Sequence, residues 1–560
     1  MKKIAALLVL FAMVFGCVGC TVTYDYPVRP IIVDGVNISE FTVVYPDSYN
    51  ELQRADVQEF ADSVLTACGI ELNVGTDSEI PASEHEIRIG SVRGADYTSL
   101  GALDCRIAVS DGNVILGGNN FYADIRAVYR FMRSVLGFGY DGSYASEFVS
   151  VSAQDAIVEW VEPAVTVMAW CTNSSVPFNT EQSVAKAVEA GFNLLDIWAC
   201  GGQDLHNMLK WAAAYDVKLL FLDWNILSQF DKEDYSALTP EIAEYIAAPM
   251  VYGNYLVDEP SLNIFASVAE GVRNYESSTG KTAFTNLFPG YASSAQLGCD
   301  SYDEYIRSYL DIVDPDMLVV DIYSLEARST SKYLIENLSL ICDILHEENY
   351  SDTELGVFIQ GLSFAPGATR TPSADDLCWQ TYVTLCFGTK MIAYFTYLPV
   401  LGATSALIDI DGNTTAVWEG AKDVNADLAA FADVYAEYGS LGVFAYNCEL
   451  QPWVELHDQI DFSDVMTLEG KGSVLVGCFE KESDGSHAFI LSNQKNLLSF
   501  KRKDSVSNLI VHLTSGESLT VWQNGVASVL TPDENGEIAI SLERGEGVFC
   551  VVNGETSVNG

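Results

Sequence analysis

The chain has 560 residues, 49% of them apolar, with 28 Tyr, 26 Phe and 9 Trp. That length suits two to four domains with large cores, and the composition excludes wholesale disorder. The 77 acidic residues against 29 basic ones give a formal charge of −48. Nucleic acid and anionic surfaces are therefore poor partners, because phosphate binding needs clustered Lys and Arg. The acids are spread along the chain, so they read as a solubility device and suit a neutral substrate better than a polyanion.

The start, MKKIAALLVLFAMVFGCVGC, places Lys2 and Lys3 before an apolar run from Ile4 to Phe15, then small residues and cysteine. This is the layout of a secretory signal over residues 1–20, too short for a spanning helix. Gly19-Cys20, and secondarily Gly16-Cys17, resembles the lipobox of bacterial lipoproteins. The resemblance implies acylation of Cys20, a tether over residues 21–32, and an extracytoplasmic cell-surface protein that meets the membrane only through lipid. Of 13 cysteines, 11 lie beyond Cys20, without C-x-x-C spacing and mostly in apolar runs, and the six histidines are dispersed. No disulfide framework, metal site or cofactor is expected. No feature of the sequence fixes an oligomeric state.

Residues 33–158 read as a small α/β domain. Phe41–Tyr45, Glu86–Ile89, Cys105–Val109 and Gly112–Gly118 are strand-like, and Tyr49–Ala67 and Tyr122–Leu136 have helical spacing. The pattern VDGVNISEFTVVYP, EHEIRIGSVR, DGNVILGGNNFYADIRAVYRFMRSVLGFGY resembles the accessory domain ahead of catalytic barrels in glycoside hydrolases such as family 20 hexosaminidases and family 67 glucuronidases. The role expected for it is packing.

Residues 160–440 alternate strand and helix patterns eight times. The strands expected are Val165–Trp170, Leu194–Trp198, Lys218–Asp223, Gly253–Val257, Thr282–Asn286, Met317–Asp321, Leu355–Gln360 and Met391–Tyr397. They are short apolar runs, as in parallel sheets buried on both faces. Between them, Asn179 is placed to cap a helix, Thr239-Pro240 to open one, and Ser373–Gly388 and Val424–Tyr438 to form the last two. Eight such units predict a (β/α)8 TIM barrel; the competing doubly wound sheet would want a Gly-rich phosphate turn, and none follows any strand. Residues 441–560 change to short alternating strands with Asp484-Gly485, Asn524-Gly525 and Asn535-Gly536 as hairpin turns, which predicts a C-terminal β-sandwich. The whole reads as a multidomain α/β chain.

Barrels place chemistry at the C-terminal ends of their strands. Those ends supply Trp170; Asp196 and Trp198; Asp223 and Trp224; Asp258 and Glu259; Asn286; Asp321 and Tyr323; Gln360; and Tyr394 and Tyr397. Aromatic faces stack on sugar C–H faces while carboxylates and amides bind hydroxyls, so the set reads as a carbohydrate-binding mouth. Taken singly, each has a plain alternative: a tryptophan in the core, an aspartate capping a helix. The sharpest feature is Asp258-Glu259-Pro260, two acids where an apolar strand stops.

YLVDEPSLNIFASVAE, FTNLFPGYASSAQLGCDSYDEYIRSYLDIVDPDMLVVDIYSLE, FGTKMIAYFTYLP and ALIDIDGNTTAVWEGAKDVNADLAAF resemble bacterial glycoside hydrolases with barrels akin to the family 42 β-galactosidases. In that clan the general acid/base is the Glu of a strand-four Asn-Glu-Pro, which implies that role for Glu259, with Asp258 replacing the sugar-binding Asn. The nucleophilic Glu of strand seven is matched by Gln360, whose amide cannot form a glycosyl-enzyme intermediate. Three routes stay open: Asp321 as second carboxylate, which is favoured; Glu326 on the following loop; or an inverting or substrate-assisted route in which Gln360 only orients the sugar. The resemblance thus implies a surface-anchored glycosidase acting on a neutral glycan. The alternative is a non-catalytic glycan-binding lipoprotein on a degenerate barrel. A hydrolase or lyase of uronic-acid polymers is disfavoured, since Arg328 and Arg370 are the only Arg near the strand ends. Sugar, linkage, anomeric outcome and exo or endo action depend on loops such as Ser228–Leu238 and Phe364–Pro372.

Overall fold

The computed structural model describes residues 31–140, 142–144, 151–173, 178–230, 240–364, 367–448, 454, 456–495, 497–498 and 502–555. The signal segment, Cys20, nearly all of the tether and most of the 228–238 loop lie outside them.

Eight parallel strands form the central sheet: β1 (Thr166–Asn173), β2 (Leu194–Trp198), β3 (Lys218–Leu222), β4 (Val251–Asp258), β5 (Thr282–Asn286), β6 (Met317–Asp321), β7 (Glu354–Gln360) and β8 (Met391–Phe395). Their order is β5-β4-β3-β2-β1-β8-β7-β6. The remaining gap is bridged just past β5, where Leu287 N donates to Val319 O (2.9 Å) and Leu287 O accepts from Asp321 N (3.1 Å). The sheet is thus a barrel rather than an open doubly wound sheet. Met168, Leu194, Leu220, Leu222, Tyr255, Phe284, Val319, Phe358, Met391 and Ala393 fill its interior. A strand repeats its facing every second residue, so Trp170, Asp196, Trp198, Asn286, Asp321 and Phe395 continue that inner face to the C-terminal mouth.

Helices cover the outside. Thr180, rather than Asn179, caps Glu181–Glu189. The last large helix is Ala416–Ala429, starting eight residues before the expected Val424. Thr415 ends a polar turn and its hydroxyl accepts from Val417 N and Trp418 N, so the helix begins directly on the turn.

In front of the barrel a six-stranded sheet runs Asn73–Thr76, Thr42–Tyr45, Glu86–Ile89, Asn113–Gly118, Cys105–Ser110, Gln154–Val158. Its two outermost strands were not foreseen: one is four residues long, and the other is exposed along nearly its whole length, so neither shows alternation. Helix Phe121–Phe131 packs on Gly202–Ala214, the helix after β2. From that helix Lys210 Nζ reaches Asp56 (2.9 Å) and Glu59 (2.8 Å), and His206 Nε2 lies 2.6 Å from Asp56.

Behind the barrel, a six-stranded antiparallel sheet and a three-stranded one share an apolar core. The first opens with Gly439–Tyr446, which straddles the expected boundary at 441. Asn524-Gly525 turns a hairpin with φ of +52° and +72°. Asn535-Gly536 does not: its flanking strands, Val526–Leu530 and Ile538–Leu542, pair in different sheets. Helix Ala374–Cys386 lies so close to this sheet that a Cβ at Gly477 would sit 2.3 Å from the Cys386 carbonyl oxygen.

Candidate active site

The site begins with how β4 ends. Glu259 takes φ +47° and its N–H donates to Asn286 O (3.0 Å), and Pro260, without an N–H, ends the strand. The left-handed residue turns the chain, so that both Asp258 and Glu259 act electrostatically on Asp321 at the end of β6. Asn286, last residue of β5, lies between them. Its Nδ2 donates to Asp258 Oδ1 (3.0 Å) and to Asp321 Oδ1 (2.7 Å). Tyr255 Oη donates toward Asp258 Oδ1 (3.1 Å) and also touches Asn286 Oδ1. Tyr323 Oη donates to Asp321 Oδ2 (3.0 Å), and Tyr323 N donates to Tyr291 Oη (3.3 Å).

Burial pushes the Glu259 carboxyl up to about 7, with the Asp258 charge adding to it. Burial likewise holds Asp321 well above the usual carboxylate range, followed by the charges of Asp258 and Glu259, while the bonds from Asn286 and Tyr323 pull it back. Three carboxylates this close do not all ionise. Both oxygens of Asp321 meet side chains that can donate to it, and these bonds favour its ionised form against the burial and neighbouring charges that oppose it, whereas the Glu259 carboxyl has no donor among the described residues. With both carboxyls raised, the cluster retains a proton near neutral pH.

Aromatic rings wall the mouth. Phe395 lies 5.1 Å from Trp170 and 5.2 Å from Tyr323, and Tyr323 lies 5.3 Å from Phe364. Trp198 and Trp224 pair at 5.4 Å, the latter 65% exposed. Asp196 is fully buried on the inner face: Oδ2 accepts from Cys171 N (3.0 Å), while Oδ1 has no partner among the described residues. Burial pushes its carboxyl up to about 7.

Several residues assigned to the mouth from the sequence are placed elsewhere. Gln360 is fully buried; its Oε1 accepts from Leu325 N (3.2 Å) and its Nε2 donates to Leu362 O and Arg370 O (3.0 Å each). Its amide ties loops together and is not available to a sugar. Asp223 opens a helix, accepting from Asn225 N (2.8 Å) and Tyr245 Oη (2.9 Å). Tyr394 points outward, edge-on to Phe192 at 5.1 Å with its hydroxyl on Asn425 Oδ1 (2.8 Å), and Tyr397 packs on the same Phe192. Glu326 is exposed with its carboxylate on the Ser329 hydroxyl. Tyr255, Tyr291, Phe364 and Phe395 also belong to the site, and none of them is singled out by its place at a strand end in the sequence. Strand parity could have found Phe395, since Met391 and Ala393 face inward and Tyr394 cannot share their side. Among the described residues no group of three or more His, Cys, Asp or Glu is arranged to hold a metal ion.

The sequence matches no family model and no curated protein. Among solved structures, it resembles a glycoside hydrolase family 5 protein from Bacteroides vulgatus ATCC 8482 (TM-score 0.44, 11% identity, 70% of this chain and 89% of that one). It also resembles a β-galactosidase from the psychrophilic Marinomonas ef1 (0.37, 10% identity, 50% of this chain), spanning 62% of that protein. A third is an endo-1,4-β-mannanase from Rhizomucor miehei (0.33, 14% identity, 50% and 97%).

Proposed function

We propose that the protein is a glycoside hydrolase acting on a neutral glycan or oligosaccharide, with Glu259 as general acid and Asp321 as the second carboxylate. The observation that carries this reading is the Glu259–Asp321 cluster: a carboxyl raised to about 7 beside a buried, doubly hydrogen-bonded carboxylate, in an aromatic-walled mouth. Glu259 protonates the leaving oxygen, and Asp321 supports the positive charge that develops on the sugar ring, either directly or through an activated water. That charge favours the ionised form of Asp321 as the reaction proceeds. Asp258 and Asn286 lie within reach of ring hydroxyls, and Trp170, Trp198, Trp224 and Phe395 offer faces for sugar C–H groups. Export and anchoring through Cys20 would put this activity at the cell surface.

The test is turnover of Glu259→Gln on oligosaccharides that the wild type cleaves. We expect kcat/KM to drop by about 10²–10⁴ while binding persists; unchanged turnover would remove Glu259 from the role. The second reading, a glycan-binding protein without activity, draws on Gln360, since β7 contributes no carboxylate to the mouth. Glycan affinity with no product from wild type and variant alike would favour it.

A further inference from the structure

A cavity of about 700 Å³ lies between the loop after β6 and the C-terminal sheets. Among the described residues its wall contains five charged ones, and four are basic: Arg328, Lys332, Lys471 and Lys495 against Asp504. In a chain where acids outnumber bases 77 to 29, that local reversal of sign is unexpected for a solvated surface. Two of these cations have no partner among the described residues. Arg328 and Lys471 are exposed, with no ion pair or hydrogen bond from either side chain among the described residues. Lys495 Nζ donates to a backbone carbonyl, Val506 O (2.6 Å), and among the described residues only Lys332 has a carboxylate partner, Glu336 at 2.7 Å. The remaining wall is mixed. Trp379, Leu497 and Leu498 supply apolar faces, and Ser331 Oγ is buried without a partner among the described residues.

We propose that this cavity binds a sugar residue carrying an anionic group, a carboxylate or a sulfate ester, on a short oligosaccharide. The cations meet the anion, with Arg328 able to take it in a two-pronged contact. The aromatic and aliphatic walls cover the ring, and the volume admits a saccharide rather than an inorganic ion alone. The chain's net charge of −48 repels a long polyanion, which restricts the ligand to few charges. The loop that carries Ser329–Lys332 into this cavity also carries Tyr323 into the barrel mouth, so one glycan could be neutral at the residue in the mouth and acidic at a distance from it. The site stands independently of the role given to Glu259, because its test reads binding and not turnover.

The experiment is calorimetric titration of the full chain carrying Glu259→Gln with four probes: digalacturonate, its neutral methyl ester, a mono-sulfated neutral disaccharide, and inorganic sulfate. Digalacturonate or the sulfated disaccharide should bind at least about tenfold tighter than the methyl ester; which of the two does so identifies the anion. Adding Arg328→Ala and Lys471→Ala should weaken that binding about tenfold, the combined effect of two partly screened contacts, and half-molar salt should act in the same direction. Because both side chains are exposed and unpaired, the variant should keep its thermal unfolding midpoint. Equal binding of the methyl ester, or unchanged affinity in the double variant, would overturn the proposal. Inorganic sulfate binding as tightly as either sugar would reduce the cavity to a simple anion site and overturn the saccharide assignment.

Discussion

The β4–β6 side of the barrel mouth and its β7–β8 side end in similar residue types, yet they use them differently. On the first side Asp258, Asn286 and Asp321 bond to one another and to Tyr255 and Tyr323, so their polar atoms stay at the mouth. On the second, Gln360 spends its amide on three loop carbonyls and one N–H, and Tyr394 gives its hydroxyl to a helix behind the wall. A polar residue at the end of a strand says little by itself. What separates a site from a scaffold is whether its partners are other mouth side chains or the backbone of neighbouring loops.

Four measurements would break or sharpen this contrast. The largest effect is expected from Asp321→Asn, which should lower kcat by about 10²–10⁴ with a much smaller change in KM and an intact fold. The same loss from Gln360→Ala would erase the distinction between the two sides. Next is the pH dependence of stability set by Asp196, whose folded value is about 7 against an ordinary 3.8. The folded state binds the extra proton between those values, so the group's stabilising contribution is full below about 4 and is lost as pH rises through about 7. Denaturant titrations from pH 4 to 8 should show this fall, of a few kcal/mol, in the wild type and a flatter curve in Asp196→Asn. Third, Gln360→Ala should leave turnover per folded molecule unchanged while costing about 2 kcal/mol, because Leu325 N is left unpaired in the interior. Smallest is Tyr394→Phe, expected to cost about 1 kcal/mol in thermal unfolding with no change in KM.

The barrel was legible because each of its strands is a short apolar run, and sequence spans such as Met317–Asp321 coincide with the strands formed. Its closure was not, since the last pairing depends on Leu287, one residue past the strand that bears it. Front strands Asn73–Thr76 and Gln154–Val158 escaped because the first is only four residues long and the second is an edge strand exposed to solvent, which needs no apolar alternation. At the mouth, Asp258, Asn286 and Asp321 could be picked out as polar residues ending buried strands. Tyr394 and Tyr397 stand out by residue type, whereas the alternation of β8 gives the inward place to Phe395. The left-handed turn at Glu259 left no trace in composition or period; it follows from the bond between Glu259 N and Asn286 O, a contact across strands.

The charged contact between the front sheet's helix and the helix after β2 bears on how far the molecule can be trimmed. Lys210 is only 4% exposed, and the carboxylates that balance it, Asp56 and Glu59, both belong to the front region. Cutting the chain down to its barrel would uncover a face carrying an orphaned ammonium, on the helix that follows the strand bearing Asp196 and Trp198. The front region is therefore not a detachable appendage: a minimal version of this protein would have to redesign that face before its mouth could be studied alone.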